Sequence, residues 1–448
     1  MKVGFGCIDI TPPPGLPLMG NFRDDYAARG VHDPLLAKAM VFEDAGGHKA
    51  AVLALDVCML DRANAAFLRA VIGSECRDMP PENVLIHATH THSAPAPCDK
   101  YIFGCDFEPH RPAVEAFLTK AAGAVARAEA DQADASLAVG YAAEDRVSFN
   151  RRLRRKDGGT QMNWEALAPG FRADEIDAPW GPTDPRMTCL VVERDGRPSA
   201  ALVNFALHPA ILAGDNWFYS ADYPGYLSEC LRRTMGEPFG CLFLGGCSGN
   251  VNHVDYREPL QGRGFTMAQR VGYMLGVAAH QGITTRVPLA GDRVAVSRES
   301  VALPRISISI DEQARCRTLL DDARSDAPPG QVDGLPEAFF AKLRLEMAAR
   351  QDEPDRIEVM TLRLGDLGLA AFPGEAFCEL GLAVRTRSLS PHTITAGLSN
   401  DAIGYLPTRD AFGQGGYETT VGSTFYEPGA GELLVDSCVR QLGGLFSR

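Results

Sequence analysis

Apolar runs that end at a histidine just before a proline constrain this chain more than any other feature. The run 84–86 leads to His90 and His92, and two prolines follow within five residues. A second run, 200–207, ends at His208, again directly before a proline. Short apolar runs closed by residues that can continue neither a ladder nor a helix are typical of buried strands. The sequence therefore predicts core strands whose ends present imidazoles.

These strand ends indicate a metal site. Alternate residues of an extended segment face the same way, so His90 and His92 can point into one space, one for a metal and one for proton transfer. Glu375 occupies a similar position, between a predicted strand and a predicted helix that runs to 385. Two histidines and a carboxylate are the usual ligands of catalytic zinc. The alternative is that two of the ten histidines fell together by chance on a polar surface.

Predicted strands and helices intermix along the whole chain. This order favours an α/β fold, with α+β as the alternative, in which helices pack on mixed sheets. No linker or repeat divides the sequence, so we expect a single domain over 1–448. Two charged, amphipathic helices split by prolines predict a helical hairpin at 310–350, and no helix is predicted in the tail from 394.

Composition limits the partners. The formal net charge of −13 argues against nucleic acid, which needs basic patches, and no run is long enough for membrane insertion. We therefore expect a small-molecule substrate and leave the oligomeric state open. The first residues lack a signal-peptide hydrophobic region, so the expected localisation is cytoplasmic. The twelve cysteines show no CxxC pair, which argues against a cysteine metal cluster.

Two other motifs invite competing interpretations. Gly4-Phe5-Gly6 matches the start of a dinucleotide fingerprint, but the prolines at 12–14 exclude the helix that would receive the phosphates. The stretch 245–249 matches a nucleophile elbow with Cys247 at its centre, which makes a hydrolase with Cys247 or Ser248 as nucleophile an alternative. The residues after it are a poor start for the required helix. A non-catalytic zinc-binding protein is a further alternative.

Seven motifs resemble, in the same order, those of the neutral/alkaline (non-lysosomal) ceramidase family. They extend over most of the chain and are specific mainly in combination. The motifs are Gly4-x-Gly6-x-x-Asp9-Ile10-Thr11, Thr89-His90-Thr91-His92-Ser93, Asn204-Phe205-Ala206-Leu207-His208-Pro209, Pro373-Gly374-Glu375, Tyr405-x-x-Thr408-Arg409, Tyr417-Glu418 and Gly422-Ser423-Thr424.

The resemblance implies a zinc amidase with the mixed sheets and helices of a ceramidase catalytic domain, and with Zn²⁺ as cofactor. It assigns a role to each matching residue. The zinc ligands would be His90, His208, Glu375 and Tyr405, the acid/base residue His92, and the groups that bind the carbonyl or stabilise the oxyanion Arg151 and Tyr417. These roles suit general acid–base and electrostatic catalysis of amide hydrolysis by metal-activated water.

Two departures from the family pattern modify this expectation. Where those ceramidases carry Gly-Asp-Val-Ser-Pro-Asn, this chain has Gly249-Asn250-Val251-Asn252-His253. The serine considered a possible nucleophile is therefore absent, which favours attack by water. The chain also ends at Arg448, soon after the last motif, so we expect a catalytic-domain-only member without the family's C-terminal β-sandwich domain.

The substrate hypothesis rests on polarity. Five basic side chains between Arg151 and Lys156 form either a solvated face or a pocket for an anionic or carbonyl-rich substrate. No apolar helix is evident as a lipid-facing lid. We therefore expect hydrolysis of the amide bond of a small water-soluble N-acyl compound. The alternatives are a true ceramidase acting on N-acyl-sphingoid lipids and an esterase or lactonase using the same site.

Overall fold

The protein is described by a computed structural model that covers residues 1–21, 23, 25–76, 78–98, 107–258, 261–322, 331–332 and 335–447. In chain order the helices are α1 (Arg62–Glu75), α2 (Arg111–Ala130), α3 (Asp222–Met235), α4 (Phe265–Thr284), α5 (Ile310–Asp322), α6 (Glu337–Ala348), α7 (Cys378–Arg387), α8 (Arg409–Gln414) and α9 (Ala430–Phe446).

Three mixed sheets form the framework. The first sheet has the strands Val84–Ala88, Lys49–Leu55, Leu36–Glu43, Lys2–Asp9 and Ala133–Asp134 in spatial order. The second has Gly240–Gly245, Arg197–Phe205, Arg186–Arg194, Ser136–Ala143 and Val287–Pro288. The third has Val294–Leu303, Asp355–Leu364, Leu367–Ala371 and His392–Ala396.

Smaller ladders complete the framework. One is a three-stranded sheet, and the others are strand pairs that tie loops together. They comprise Thr160–Met162, Arg152–Arg155 and Ile176–Pro179, then the pairs Gly30–Val31 with Phe218–Tyr219, Phe149–Asn150 with Val251–Asn252, Gln331–Val332 with Leu335–Pro336, and Glu375–Ala376 with Tyr405–Leu406.

The three main sheets share one apolar core. Met40, Leu202 and Leu362, one from each sheet, belong to the same buried cluster. The other faces are covered by helices: α1 and α2 lie on the side of the first sheet, α3 and α4 on the second, and α7 and α9 on the third. This arrangement is the predicted mixed α/β architecture, and the predicted fold class is confirmed.

Each main sheet contains one parallel strand pair, and the site lies beyond the carboxyl ends of these pairs. The pairs are Lys49–Leu55 with Val84–Ala88, Arg197–Phe205 with Gly240–Gly245, and Leu367–Ala371 with His392–Ala396. Each of three predicted site residues lies within four positions after the end of one of these strands. His90 follows Val84–Ala88, His208 follows Arg197–Phe205, and Glu375 follows Leu367–Ala371. Open α/β sheets bind ligands at such ends because the loops there converge.

The paired glycines of Gly4-Phe5-Gly6 serve helix packing. A Cβ atom at Gly4 would lie 1.8 Å from the carbonyl oxygen of Ala128, and one at Gly6 would lie 2.0 Å from that of Ala124. Both carbonyls belong to α2, which therefore lies directly against the first strand. The sequence excluded a dinucleotide role for this motif, and close contact between backbones accounts for it.

The tail beyond 394 contains helices, contrary to the sequence-based expectation. α9 buries Leu434, Val435, Cys438 and Leu442, a stripe with the spacing of one helix face. Glycines at 431, 443 and 444 weaken the intrinsic preference for a helix. Burial against the third sheet outweighs that loss, and the apolar spacing was the signal that could have revealed it.

Two helices, α5 and α6, lie in the range 310–350 and pack against each other. The turn predicted at 328–330 lies outside the described residues. Among the residues that the structure describes, no helix combines the length and the apolar character needed to cross a bilayer.

Replacing Gly6 with alanine should destabilise the fold, because the added methyl group must displace the backbone of α2. We expect Gly6→Ala to lower the free energy of unfolding by roughly 1–3 kcal/mol, measured by urea denaturation. Gly444→Ala is the matched control, since Gly444 is exposed in α9 with no atom near its would-be Cβ. The control should gain about 0.5–1 kcal/mol. Equal stability of the two variants would contradict the packing argument.

Candidate metal centre and active site

Three imidazoles converge on one point. The Nε2 atom of His90 lies 2.9 Å from that of His208 and 3.2 Å from that of His92, and the latter two are 3.1 Å apart. Glu375 Oε2 lies 3.4 Å from His90 Nε2 and 3.7 Å from His208 Nε2. All four residues are buried. His90, His208 and Glu375 present three ligand atoms within bonding range of one divalent ion, a donor set that suits zinc.

The three histidines differ in the hydrogen bonds that their Nδ1 atoms make. His90 Nδ1 donates to the carbonyl oxygen of Cys58 at 2.6 Å, and His208 Nδ1 donates to that of Ser248 at 3.3 Å. His92 Nδ1 is buried and has no hydrogen-bonding partner among the described residues. Metal-binding histidines almost always donate their other N–H to a fixed acceptor, which directs the free nitrogen at the metal. His90 and His208 have this arrangement, and His92 does not.

The loops that carry the histidines are joined through their backbones. His90 N donates to Val57 O at 2.9 Å, and His92 N donates to Pro209 O at 3.1 Å, so the two histidine loops hold each other. His90 itself adopts a φ of +70°, a left-handed conformation that is strained for a residue with a Cβ atom. Surrounding hydrogen bonds thus fix the direction of the imidazole.

Glu375 and Tyr405 come together through a short parallel ladder. Glu375–Ala376 pairs with Tyr405–Leu406, and the register sets Glu375 beside Tyr405. The ring of Tyr405 in turn meets that of Tyr417 edge to face, with centroids 5.3 Å apart. Tyr405 and Tyr417, which are 30 and 42 positions beyond Glu375 in the sequence, therefore lie beside the histidine cluster.

Gly249 allows the glycine-rich turn 245–249 to lie against this ladder. A Cβ atom at Gly249 would lie 2.2 Å from the carbonyl oxygen of Glu375. The turn therefore supports the candidate metal centre from behind. Cys247, its central residue, is buried in the apolar core, and burial raises the pKa of its thiol to about 12. The strand before it leads into a second short strand instead of a helix, so the structural context of a nucleophile elbow is not met.

The carboxylate of Glu418, to which the sequence analysis assigned no role, holds the Arg151 side chain in the site. Arg151 Nε donates to Glu418 Oε1 at 2.7 Å, while Arg152 Nη1 donates to Glu418 Oε2 at 2.8 Å. The Arg151 guanidinium lies 5.3 Å from the ring centroids of both Tyr405 and Trp164. Its Nη2 atom is buried and has no partner among the described residues. One donor of this guanidinium therefore remains available to a ligand.

The expectation of a cationic pocket at 151–156 needs correction. Glu418 balances Arg151 and Arg152, Asp177 binds Arg154, and Asp157 with Glu175 binds Arg155. Residues 152–155 form a strand of the small three-stranded sheet, and their acidic neighbours come from the next strand and from turns and short helices around it. The segment contributes the guanidinium of Arg151 to the site and does not form a positively charged pocket.

Burial and mutual charge set the protonation of the cluster. Burial lowers the pKa of His90, but the Glu375 carboxylate more than offsets this and raises it to about 10. Burial and then the charge of His90 lower the pKa values of His92 and His208 well below the usual range. Burial raises the pKa values of Tyr405 and Tyr417, which favours the protonated phenol of each when no metal is bound.

Two clefts meet at the Tyr405–Tyr417 pair. The first has a volume of about 240 Å³, reaches Glu375, and combines an apolar wall with four further charged side chains. The second has a volume of about 430 Å³ and reaches His92 and His208. We call the first the apolar cleft after its wall of Met59, Phe339, Leu343, Met347, Ile403 and Phe425; its charged side chains are Arg305, Glu346, Arg350 and Asp355. We call the second the polar cleft after Asn21, Arg151, Asn252 and His253, which face an apolar wall that includes Trp164, Leu167, Ile211 and Val254.

Asn252, at the position of the missing serine, is held in a structural role. Its Nδ2 donates to Asn163 Oδ1 at 2.8 Å, and its Oδ1 accepts from Asn163 Nδ2 at 2.7 Å and from Val254 N at 3.0 Å. The amide is therefore saturated by neighbouring groups. This leaves no nucleophile at that position and accords with attack by water.

Comparison with known proteins gives consistent matches. The family profile for neutral/alkaline non-lysosomal ceramidase, N-terminal, matches residues 1–239. Neutral ceramidase of Mycobacterium tuberculosis is 26% identical over 95% of this chain and 74% of its own length. Neutral ceramidase B of Dictyostelium discoideum is 25% identical over 53% of this chain and 32% of its own length. The match to the crystal structure of neutral ceramidase from Pseudomonas aeruginosa covers 99% of this chain and 74% of that chain. The TM-score is 0.75 at 19% identity, which shows the shared fold.

These matches define the chain first as a hydrolase that acts on amide bonds. The profile match extends over more than half of the 448 residues, and the chain belongs to the neutral/alkaline non-lysosomal ceramidase family. The resemblance found in the sequence motifs is confirmed. The alternative of a non-catalytic zinc-binding protein is set aside, because these matches indicate a hydrolase that acts on amide bonds.

Metal content should separate the two kinds of histidine. We expect about one zinc ion per chain in the wild type, and loss of most of it in His90→Ala and His208→Ala, because their Nδ1–carbonyl bonds direct Nε2 at the metal. His92→Ala should keep its zinc and lose roughly 10²–10⁴-fold in hydrolysis rate. Elemental analysis after dialysis provides the measurement.

The matched control is His280→Ala, a histidine of α4 distant in sequence from the site. It should retain both zinc and activity. If His92→Ala lost its zinc while His208→Ala kept it, the assignment of ligands would have to be exchanged.

Proposed function

We propose that this protein hydrolyses the amide bond of ceramide-class lipids, N-acyl derivatives of long-chain amino alcohols, with zinc as its metal. The observation that carries the proposal is the convergence of three imidazoles and a carboxylate at the junction of an apolar and a polar cleft. An amide substrate has two parts that leave a central carbonyl in different directions. Relatives that bear the name neutral ceramidase support the choice of substrate class.

His90, His208 and Glu375 would hold the metal, with the Tyr405 phenol as a fourth ligand. Glu375 Oε2 is buried and without a hydrogen-bonding partner among the described residues, as expected for an atom reserved for a ligand. A bound zinc ion would act as a Lewis acid that polarises the amide carbonyl and lowers the pKa of a water molecule.

His92 is the residue we assign to proton transfer. Its Nε2 faces the same point as the proposed ligands, and its Nδ1 lacks the fixed acceptor that the other two histidines have. It can accept the proton of the attacking water at Nε2 and deliver it to the leaving nitrogen. The hydrolysis then needs no covalent intermediate.

Arg151 and Tyr417 are placed to bind the carbonyl oxygen and to stabilise its developing negative charge. Both line the polar cleft beside His92 and His208. Glu418 fixes the guanidinium through Nε and leaves Nη2 free to donate to a substrate oxygen. Donors held rigidly before the reaction stabilise a developing oxyanion without reorganising.

The apolar cleft replaces the hypothesis of a small water-soluble substrate. α6 contributes Phe339, Leu343 and Met347 to its wall, together with Glu346, so the apolar face of an amphipathic helix does border the site. The basic segment that motivated a polar substrate is balanced by carboxylates. The two observations that favoured a small water-soluble substrate, a basic pocket and the lack of an apolar helix face near the site, therefore no longer support it. The apolar wall of the cleft suits an acyl chain.

Activity should increase with acyl length until the cleft is full. Each methylene moved from water into an apolar wall contributes about 0.8 kcal/mol, so kcat/KM should rise roughly fourfold per methylene over the short chains. The measurement compares N-acetyl, N-hexanoyl and N-palmitoyl sphingosine in detergent with short polar N-acyl amino acids and matched esters. A hundredfold preference for the polar compounds, or for the esters, would reject the proposal.

Narrowing the apolar cleft should affect long acyl chains selectively. Met347→Trp adds bulk to a buried position of the cleft wall, and we expect at least a tenfold loss of kcat/KM for N-palmitoyl substrate with little change for N-acetyl substrate. Ala349→Trp is the control, since position 349 is exposed just beyond the same helix and does not line the cleft. Parallel losses on both substrates would place the acyl chain elsewhere.

A further inference from the structure

His253 is a buried histidine that the proposed reaction does not use. Its side chain lines the polar cleft together with His92, Arg151 and Tyr417. Only 7% of the residue is exposed, and neither ring nitrogen has a hydrogen-bonding partner among the described residues. Its backbone is well held, because its carbonyl oxygen accepts from Gln261 Nε2 at 3.1 Å.

An unpaired buried polar atom destabilises the folded state, and native proteins contain few of them. His253 has two. Burial lowers its pKa to about 4, so the ring is neutral near pH 7 and carries one N–H donor and one acceptor nitrogen. A substrate hydroxyl group can accept a hydrogen bond from the ring N–H or donate one to the other ring nitrogen. An alkyl chain can do neither.

Other buried polar atoms without hydrogen-bonding partners in the described part of the chain belong to residues that line the same cleft. Asn21 Nδ2, His92 Nδ1 and Arg151 Nη2 also lack partners among the described residues, and all three side chains line the same cleft. The neighbouring Asn252, by contrast, is saturated by Asn163. The segment that carries His253 is thus rigid, while the imidazole itself is unsatisfied.

His253 also lies where this chain departs from the family pattern. It stands at the proline of the Gly-Asp-Val-Ser-Pro-Asn pattern from which the segment 249–253 departs. An imidazole at that position is therefore not required by the chemistry that the family motifs carry. A role in selecting the substrate explains it better than a role in bond cleavage.

We propose that His253 is a specificity-determining residue that hydrogen-bonds a hydroxyl group on the amine-derived part of the substrate. This inference rests on the proposed function, which assigns the acyl chain to the apolar cleft. His92 delivers its proton to the leaving nitrogen and lines the polar cleft, so the amine-derived part extends into that cleft. A hydroxyl near the nitrogen then meets His253, and a substrate without one leaves both ring nitrogens buried and unpaired.

The test uses uncleaved amide isosteres, so that binding is measured independently of hydrolysis. The probes are N-octyl-N′-(2-hydroxyethyl)urea and N-octyl-N′-ethylurea, which differ by one hydroxyl group, titrated calorimetrically into the zinc-loaded full chain. Sites built to bind a hydroxyl discriminate strongly against analogues that lack it. We expect the wild type to bind the hydroxyethyl urea about tenfold to a hundredfold more tightly.

In His253→Leu and His253→Phe this ratio should fall to within about twofold, and His253→Gln, which keeps a donor and an acceptor, should restore part of it. The apolar variants should have an unchanged or higher Tm, because they remove unpaired buried nitrogens. A selectivity ratio that survives both apolar substitutions would overturn the inference, as would a wild type that binds the two ureas equally or binds neither.

Turnover of N-octanoyl-2-aminoethanol by the wild type, measured in parallel, tests the proposed function separately. Hydrolysis together with an unchanged urea ratio in His253→Leu would reject the role of His253 alone. Selective urea binding without hydrolysis of any N-acyl compound would reject the proposed function and leave the hydroxyl subsite standing.

Discussion

The architecture depends on one buried imidazole, that of His87, where the three main sheets meet. Its Nε2 accepts from Gly245 N at 2.9 Å at the end of the second sheet, and its Nδ1 donates to Gly397 O at 2.9 Å just beyond the third. His87 itself lies in the first sheet. Burial lowers its pKa to about 3, which keeps the ring neutral and able to bridge a donor and an acceptor. The histidine loops, the glycine-rich turn and Glu375 all emerge around this junction.

A second constraint is the buried carboxylate of Glu418, which sets the electrostatics of the polar cleft. It is fully buried and binds two guanidinium groups, so neither arginine can turn toward another partner without leaving a charge unpaired. Arg152 also donates to Gly415 O at 2.7 Å, which ties its strand to the loop before Tyr417. The same ion cluster therefore orients Arg151 and holds Tyr417 near it.

Sequence reasoning succeeded where the signal was local. The strand ends at His90 and His208 were visible as apolar runs closed by prolines, and the mixed fold followed from the alternation of elements. Glu375 was indicated by its position between a predicted strand and a predicted helix. Tyr405 needed the order of the family motifs, because a two-residue ladder has no recognisable pattern of its own. The partners of Arg151 to Arg155, the apolar face of α6 and the isolation of His253 depend on contacts between distant segments, which no single stretch encodes.

The distribution of the site over three sheets has a consequence for the order in which the protein forms. His90 and His208 lie in the first half of the chain, whereas Glu375 and Tyr405 leave the ribosome nearly three hundred residues after His90. The ladder that joins the last two cannot close before the third sheet is complete. A nascent chain therefore carries its imidazoles for most of synthesis without the carboxylate that balances them. With the proposed ligands, capture of a metal would be one of the last events of folding, and a filled site would report that every sheet has docked.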